Sequence, residues 1–501
     1  MRWPDMLILV ISLLGVMALG PILSRRSTSA EGYFLAGRKM PGWVLGISLM
    51  ATIISSMTYL AIPAFTYAHD WRYVPALCTF LLVSGIAVYL FMPFFRRGRV
   101  NSAYEYLENR FGLWARVYAG AGFLLSQVFK AAIVLYAVSL ALQTMTGLPV
   151  PWLILILGLV VGFYTVSGGL EAVVWSDFIQ AIIMILGAAI CLPYLVVKLP
   201  GGFAQIIAVA SADHKFSVGG FSPTLYEKTF WVMALNHIFY FSHQMCSDQM
   251  AVQRYTAASS DRQARISIWV GAISTIPVWV YFSFMGTALY VLYKVMPAEP
   301  VLGMQAEQVF PYFILTSLPV GATGLVFAAI AAAAMSTVSS IVNSWAQILT
   351  NDFYRRLFVK DRDERHYLTM GRWFSFLVVA ISTLASLIIH WTRSSALMDL
   401  QQLFMTVLSG GMLGLFLLGF LTRRVDSLSA LIATAITASG VCFWLFVKSP
   451  AGRQVLPNVA AMLPDDFLIN VLSNLFIFGF AYLFSLVFRR RSKKNLTGLT
   501  W

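Results

Sequence analysis

Charged residues are scarce in this sequence, and several long stretches contain none. Of its 501 residues, 11% are charged and 59% are hydrophobic, whereas soluble domains are nearer to a quarter charged. Uncharged apolar runs cover residues 182–197 and 403–421, and a helix of about 20 such residues crosses a bilayer. A single soluble core would not need so many separate runs of that length, so the composition indicates an integral membrane protein.

Alternation of polar and apolar residues is also missing from these runs. A transmembrane β-barrel needs that alternation on each strand, and lipid otherwise allows only helices to cross the membrane. The net charge of +14 could suggest a nucleic-acid partner. However, 25 of the 35 Lys and Arg residues lie in alternate short loops and at the C-terminus. That distribution is typical of the positive-inside rule, so we expect contact with a lipid bilayer and no nucleic acid.

Cysteine is rare, and the motifs of common catalytic centres are absent. The four cysteines lie in apolar segments without a CxxC pair, which argues against a disulfide framework or a zinc site. There is no HExxH, P-loop or GxGxxG motif, so we predict that the protein is not an enzyme and has no catalytic residues. The first apolar run lacks a convincing basic region and cleavage site, so it is interpreted as a span rather than a signal peptide.

Thirteen transmembrane helices are predicted from the hydrophobic runs. The excess of Lys and Arg in alternate loops places the N-terminus outside and the C-terminus in the cytoplasm. A bacterial inner membrane is the expected location, and the oligomeric state is left open. The predicted spans are 5–24, 43–68, 74–95, 117–147, 151–170, 176–197, 229–250, 266–295, 313–349 (with a turn near Pro319), 373–391, 401–421, 427–447 and 466–488.

Two clusters of hydroxyl residues lie inside predicted spans, where polar groups are costly. One covers residues 51–58 and is followed by Pro63, a pattern that suits a helix interrupted at mid-membrane. The other covers residues 333–340, where Ser336, Ser339 and Ser340 share one helical face. Hydroxyl and carbonyl oxygens could hold a small cation. Ordinary packing of small residues explains either cluster about as well from the residues alone.

Two charged residues also lie within predicted spans. Asp177 could complete a cation site or could face water at the interface. Lys130 has about a dozen apolar residues on each side, so its ammonium cannot easily reach the membrane surface. A cation at mid-span costs about 3 kcal/mol on insertion scales. An anionic partner is therefore expected, either an internal carboxylate such as Asp177 or an anionic substrate.

Four stretches of sequence together resemble the sodium:solute symporter family, which includes sodium-coupled sugar, proline, iodide, monocarboxylate and sialic acid carriers. The resemblance implies a LeuT-type core of two inverted five-helix repeats, at residues 43–197 and 229–421. An extra N-terminal helix at 5–24, extra C-terminal helices at 427–488 and a cytoplasmic tail at 489–501 complete the single transmembrane domain. The four stretches are Phe34–Arg38, Glu171–Gln180, Ser247–Tyr255 and Met335–Ser344.

The resemblance also implies two sodium sites. The first would use backbone carbonyls of Ala51, Ile54 and Ala333 with the hydroxyls of Ser336 and Thr337. The second would combine Asp177 with Ser336, Ser339 and Ser340. One or two sodium ions are therefore expected to be carried with the substrate.

For the substrate, the resemblance is greatest to the sialic acid carriers, in which a basic residue meets the substrate carboxylate. Lys130 occupies that position here as lysine instead of arginine, and Ser55, Ser56 and Thr58 would line the same cavity. A glutamine of the sialic acid site is replaced near Leu77. We therefore expect sodium symport of an organic anion, sialic acid or another sugar acid first and another carboxylate second. A neutral sugar, proton coupling on the same fold, and an ion channel remain alternatives.

Overall fold

The computed structural model describes residues 2–24, 29–98, 100–392, 411–487, 496 and 498–500. Within these ranges the chain is helical, and the one β-type pairing is an isolated bridge between Met40 and Ala258. The all-helical prediction is therefore confirmed. The helices are α1 Trp3–Ser24, α2 Ala30–Leu35, α3 Gly42–Ile53, α4 Ser56–Ala68, α5 Pro75–Ile86, α6 Met92–Arg97, α7 Ala103–Phe111, α8 Leu113–Thr146, α9 Val150–Lys198, α10 Gly202–Ala212, α11 Phe230–Cys246, α12 Gln249–Ala257, α13 Asp261–Val295, α14 Glu299–Leu302, α15 Ala306–Ser317, α16 Ala322–Ile348, α17 Glu364–Thr392, α18 Met412–Leu421, α19 Ser427–Lys448, α20 Pro450–Val455, α21 Pro457–Met462 and α22 Leu468–Val487.

Nine helical segments in the described ranges are long and apolar enough to cross a membrane, and the bent pair α3–α4 makes a tenth. The predicted count of thirteen treats α9 as two spans and adds α11 and the span 401–421. Residues 401–410 of that span lie outside the described residues, as does most of the predicted tail. The predicted span 313–349 covers parts of two helices, and the turn predicted near Pro319 is present. Its first residues belong to α15, and a turn containing Pro319 separates α15 from α16.

Two helices are interrupted where polar residues accumulate. Helix α3 ends at Ile53 because Ile54 has extended backbone geometry, and α4 starts after Ser55 at an angle of 54° to α3. Helix α11 ends before Ser247, and α12 starts after Asp248. Interrupted helices leave backbone groups without helical partners, and these groups are then available to bind ions.

Helix α16 lies at the centre of the bundle. It packs against α9, α8, α1 and α3, and every residue from Thr323 to Ile348 except Leu325 is buried. Its alanine-rich stretch, residues 328–334, lets the neighbouring backbones approach closely. The hydroxyls that follow this stretch are therefore held away from lipid, against the interrupted helix α3.

Helix α9 contains one residue that only glycine accommodates. Gly169 has φ +62° and ψ −154° within the 49-residue helix. Gly169 lies near the end of the predicted span 151–170, shortly before the predicted span 176–197. A β-carbon at Gly169 would lie 2.5 Å from the carbonyl oxygen of Tyr33.

Replacing Gly169 with alanine is expected to destabilise the protein by at least about 2 kcal/mol. The cost combines backbone strain of about 1–3 kcal/mol with displacement of α2. Thermal unfolding of the purified protein measures the change. Gly15→Ala is the matched control, because no atom lies within 4 Å of a β-carbon at Gly15 and alanine is the better helix former. Equal unfolding temperatures for the two variants would contradict the expectation.

Candidate functional site

The end of α3 and the middle of α16 bring five oxygen atoms together. The Ser336 hydroxyl donates to the Ala51 carbonyl at 2.6 Å, and the Thr337 hydroxyl donates to the Thr52 carbonyl at 3.3 Å. Both hydroxyls also lie 3.2 Å from the Ala333 carbonyl. All five residues are buried. Four of the five residues predicted for the first sodium site are thus adjacent, and Thr52 is an addition.

Ile54, the fifth predicted ligand, marks the break itself. Its N–H closes the last turn of α3 on the Met50 carbonyl, while its own backbone is extended and fully buried. Helix termination here leaves carbonyl oxygens of the last turn to face α16. Uncharged oxygens are suitable ligands for a hard cation. Within the described ranges, no group of three or more His, Cys, Asp or Glu residues could hold a metal ion.

Asp177, predicted for a second sodium site, is held by an arginine. Its Oδ2 accepts from the Ser48 hydroxyl at 2.6 Å and lies 3.2 Å from the Arg254 guanidinium. Both charged side chains are at most 1% exposed. From the sequence, Asp177 was one possible partner of Lys130. The structure instead pairs it with Arg254, which lies in the Ser247–Tyr255 stretch and was not among the predicted site residues.

The predicted serines of the second site divide between different partners. Ser340 accepts from Arg254 at 2.6 Å and lies 2.9 Å from the Thr52 hydroxyl. Ser339 donates to the Ser336 carbonyl at 3.1 Å, and Ser336 faces the first site. In the described part of the chain, the Asp177 Oδ1 atom is buried without a hydrogen-bond donor. One carboxylate oxygen therefore binds the guanidinium, and the other is available for a cation.

Lys130 lies midway along α8 and is partly buried. Its ammonium makes no hydrogen bond or ion pair with the residues that the structure describes, but it interacts electrostatically with the buried carboxylate of Asp248. One turn earlier, the Gln127 amide donates to Asp248 Oδ2 at 3.3 Å. Asp248 caps α12 by accepting from the Met250 N–H at 2.8 Å. The second interrupted helix thus brings a buried carboxylate within electrostatic range of Lys130.

The first turn of α4 carries the other predicted substrate residues. Ser55 is the N-cap of α4, and its hydroxyl accepts from the Met57 N–H at 3.2 Å. Ser56 and Thr58 are buried, and the Ser56 hydroxyl has no hydrogen-bond partner among the described residues. Helices α4 and α8 are in contact. The side chain of Leu77 lies outside the described parts of the chain.

The charges at the centre of the helix bundle balance. We call the part that contains Lys130, Asp177, Asp248 and Arg254 the central region. Lys130 and Arg254 carry two positive charges, and Asp177 and Asp248 carry two negative charges. An ion pair removed from water is stable only when each charge has a close partner. One sodium ion entering with one monoanion would preserve this neutrality.

The two ends of the central region differ. On the α12 side, Gln253 donates to the Phe34 carbonyl and to Asn343, each at 2.7 Å or less, and Gln249 donates to Gln347 at 2.7 Å. We call Gln249, Gln253, Asn343 and Gln347 the amide clamp. On the α4 side, a cavity of about 350 Å³ opens among aromatic and polar side chains. Its lining includes Phe65, Tyr73, His237, Tyr240, Phe241 and Trp279.

Known proteins resemble this chain over most of its length. The model of the sodium:solute symporter family matches residues 33–437. The sodium/sialic acid symporter SiaT of Proteus mirabilis (strain HI4320) is 30% identical over 430 residues, which are 86% of this chain and 87% of that protein. The human sodium-coupled monocarboxylate transporter 1 is 28% identical, over 86% of this chain and 70% of its own.

The fold has a close match among solved structures. This chain superposes on a Na+-coupled sialic acid symporter with a TM-score of 0.88. That structure is a substrate-bound outward-open state that reveals a novel Na+ site. The two chains are 27% identical, and the match covers 97% of this chain and 98% of the other. The LeuT-type architecture that the sequence predicts is therefore confirmed at the level of the fold, without fixing the number of helices.

Proposed function

The chain belongs to the sodium:solute symporter family, and from that premise we propose that the solute it carries with sodium is an organic anion, with sialic acid or a related sugar acid as first candidate. The observation that carries this proposal is Lys130, a partly buried cation at mid-membrane without a hydrogen-bond acceptor in the described residues. The sialic acid relative supports the sugar acid. The human relative supports another carboxylate as second candidate.

Three sets of residues carry the proposed transport cycle. The first sodium binds Ala51, Ile54, Ala333, Ser336 and Thr337. The second binds Asp177 through Oδ1, together with the hydroxyls of Ser336, Ser339 and Ser340. The substrate carboxylate meets Lys130, and Ser55, Ser56 and Thr58 contact the rest of the substrate.

Alternating access follows from the two interrupted helices. Sodium at the first site ties α3 to α16 and favours the state in which the α4 side is open. Substrate then binds near the midplane, and movement of one repeat against the other exposes both to the opposite side. We propose that the repeats are 43–197 and 229–421, and that the open α4 side faces the outside. This orientation places the N-terminus outside and the amide clamp and C-terminus on the cytoplasmic side of a bacterial inner membrane.

A neutral solute is the second candidate, and one observation favours it. Asp248 already compensates Lys130, so the empty site has no unbalanced positive charge. Thermal stabilisation by a ligand panel separates the candidates. Sialic acids, sugar acids, monocarboxylates, neutral sugars and amino acids are each added in sodium and in potassium. Stabilisation by an acid only in sodium supports the proposal, and stabilisation by neutral sugars alone rejects the anion.

Replacing Thr337 with valine is expected to raise the half-saturating sodium concentration at least about tenfold. Valine keeps the shape of threonine but removes a ligand oxygen, and a contact to a charged group contributes about 1.5–3 kcal/mol. Sodium-dependent uptake into proteoliposomes measures the change. Ser344→Ala is the matched control, since it removes a hydroxyl two turns along α16 that, among the described residues, bonds only to the Ser340 and Ile341 carbonyls. An unchanged sodium dependence would remove Thr337 from the site.

A further inference from the structure

The acceptor atoms around Lys130 outnumber the donors that the protein offers them. Asp248 Oδ2 receives one long hydrogen bond of 3.3 Å from Gln127. Because the Gln127 NH2 group must face the carboxylate, the amide oxygen points elsewhere, and it is buried without a partner in the described structure. Buried acceptors without donors are costly and uncommon in native proteins. The unpaired Gln127 oxygen, beside a carboxylate oxygen that receives one long hydrogen bond, therefore indicates that a donor arrives with a ligand.

Helix geometry places these groups on one face. Gln127 and Lys130 are three residues apart on α8, so their side chains lie on the same side of that helix. Gln127 donates a hydrogen bond to Asp248, and Lys130 interacts electrostatically with the same carboxylate. Other charged and polar groups near Asp248 are Arg254 on α12 and the tyrosines Tyr104, Tyr240 and Tyr255. A ligand carboxylate at Lys130 would thus lie beside a carboxylate and an amide oxygen.

We propose that Asp248 and Gln127 form a second anchor of the substrate site, which selects carboxylates that also carry a hydrogen-bond donor. This inference rests on the proposed function, since it assumes that an acid binds at Lys130. When the acid binds, its carboxylate takes the place of Asp248 beside the ammonium. A hydroxyl, amide or ammonium group of the same ligand then donates to Asp248 Oδ2 and the Gln127 oxygen. Sugar acids meet this requirement, and aliphatic monocarboxylates do not.

Electrostatic repulsion between Asp248 and the ligand carboxylate strengthens the selection for acids that carry a hydrogen-bond donor. A plain aliphatic acid would bring its carboxylate close to Asp248, would leave the Gln127 oxygen unpaired and would add no donor to Asp248. A hydroxylated acid compensates the repulsion with donated hydrogen bonds to a charged acceptor, which are the stronger kind. Specificity of this type depends on the acceptors that the wrong ligand leaves unpaired as much as on the hydrogen bonds that the right ligand forms.

The variant Asp248→Asn tests this inference without removing the helix cap. Asparagine caps helices about as well as aspartate, so α12 should remain intact, but the acceptor loses its charge. Two acids of similar chain length are compared in sodium: gluconate with its hydroxyls and hexanoate without them. Binding of each is measured by calorimetry on the purified full-length protein, and thermal unfolding without ligand checks that the variant folds.

Wild-type protein is expected to prefer gluconate to hexanoate by at least about tenfold. In Asp248→Asn, that preference should fall about tenfold or more, through weaker gluconate binding and equal or tighter hexanoate binding. Gln127→Leu should shift the ratio in the same direction. An unchanged ratio, or equal losses for both acids in a folded variant, would overturn the second anchor while leaving anion symport standing. Failure of wild-type protein to bind any acid, with binding of neutral sugars, would overturn the proposed function as well.

Discussion

Lys130→Ala is expected to abolish the sodium-dependent stabilisation by acidic ligands, with a loss of affinity above a hundredfold. The ammonium is the one cation of the described central region without a hydrogen-bonded acceptor, since Arg254 is held by Asp177, Ser340 and Thr52. Without Lys130, the ligand carboxylate would face Asp248 in a poorly solvated site. A buried carboxylate without a partner costs several kcal/mol. Thermal shift and uptake of the acid in sodium measure the loss.

Lys130→Arg is the conservative comparison for this prediction. Arginine keeps the charge and adds a bidentate fork that matches a carboxylate, so acid binding should persist or tighten. The double variant Lys130→Ala/Asp248→Asn removes the unpaired carboxylate and should recover thermal stability without recovering acid binding. Recovery of both would mean that Lys130 serves only as the ion-pair partner of Asp248, and the anion proposal would then be abandoned.

Ser339→Ala is expected to lower the Hill coefficient for sodium from about two towards one. Ser339 is a predicted ligand of the second sodium that does not contact Arg254, so its removal leaves the buried Asp177–Arg254 pair intact. Asp177→Ala should have the same effect on sodium, but it also leaves Arg254 buried without its counter-charge. A lower coefficient in both variants would therefore reflect the sodium site rather than loss of the ion pair.

The loss of one sodium would change the attainable accumulation greatly. A tenfold sodium gradient supplies about 1.4 kcal/mol per ion, and each charge moved through 100 mV is worth about 2.3 kcal/mol. Two sodium ions with one monoanion therefore provide about 5.1 kcal/mol, or more than a thousandfold accumulation. One sodium leaves about 1.4 kcal/mol, or tenfold. Uptake at steady state in proteoliposomes distinguishes these limits. If Ser339→Ala changed neither the Hill coefficient for sodium nor the steady-state accumulation of substrate, Ser339 would be excluded from the mechanism.

The interrupted helices show how far sequence reasoning reaches. Hydroxyls and a proline in one apolar run predicted the break at α3–α4, because such a local pattern indicates where a helix loses its backbone hydrogen bonds. The local pattern did not bring Ser336 and Thr337 to that break; the family resemblance implied their position. The carbonyl of Thr52 was missed, since every backbone carries a carbonyl and only the conformation at Ile54 directs this one towards α16.

The charged pairs show where sequence reasoning stops. Arg254 and Asp177 are 77 residues apart, and Gln127 and Asp248 are 121 apart. Periodicity places a residue on one face of its own helix, but it does not tell which face of another helix lies opposite. The sequence therefore left Asp177 as a possible partner of Lys130, whereas in the structure Asp177 binds Arg254. Arg254 and Asp248 lay within a quoted family stretch, and the scarcity of charge within spans was a signal for Asp248 alone, since Arg254 lies beyond the predicted span 229–250.

The amide clamp has a consequence for how transport responds to membrane voltage. Its members, Gln249, Gln253, Asn343 and Gln347, are uncharged, so separating them moves no charge through the electric field of the membrane. The field acts on charges and leaves neutral amides nearly unaffected. The clamp itself should therefore add no voltage dependence to the opening of this side. The current–voltage relation of the transporter would then be set by its charged groups and by sodium.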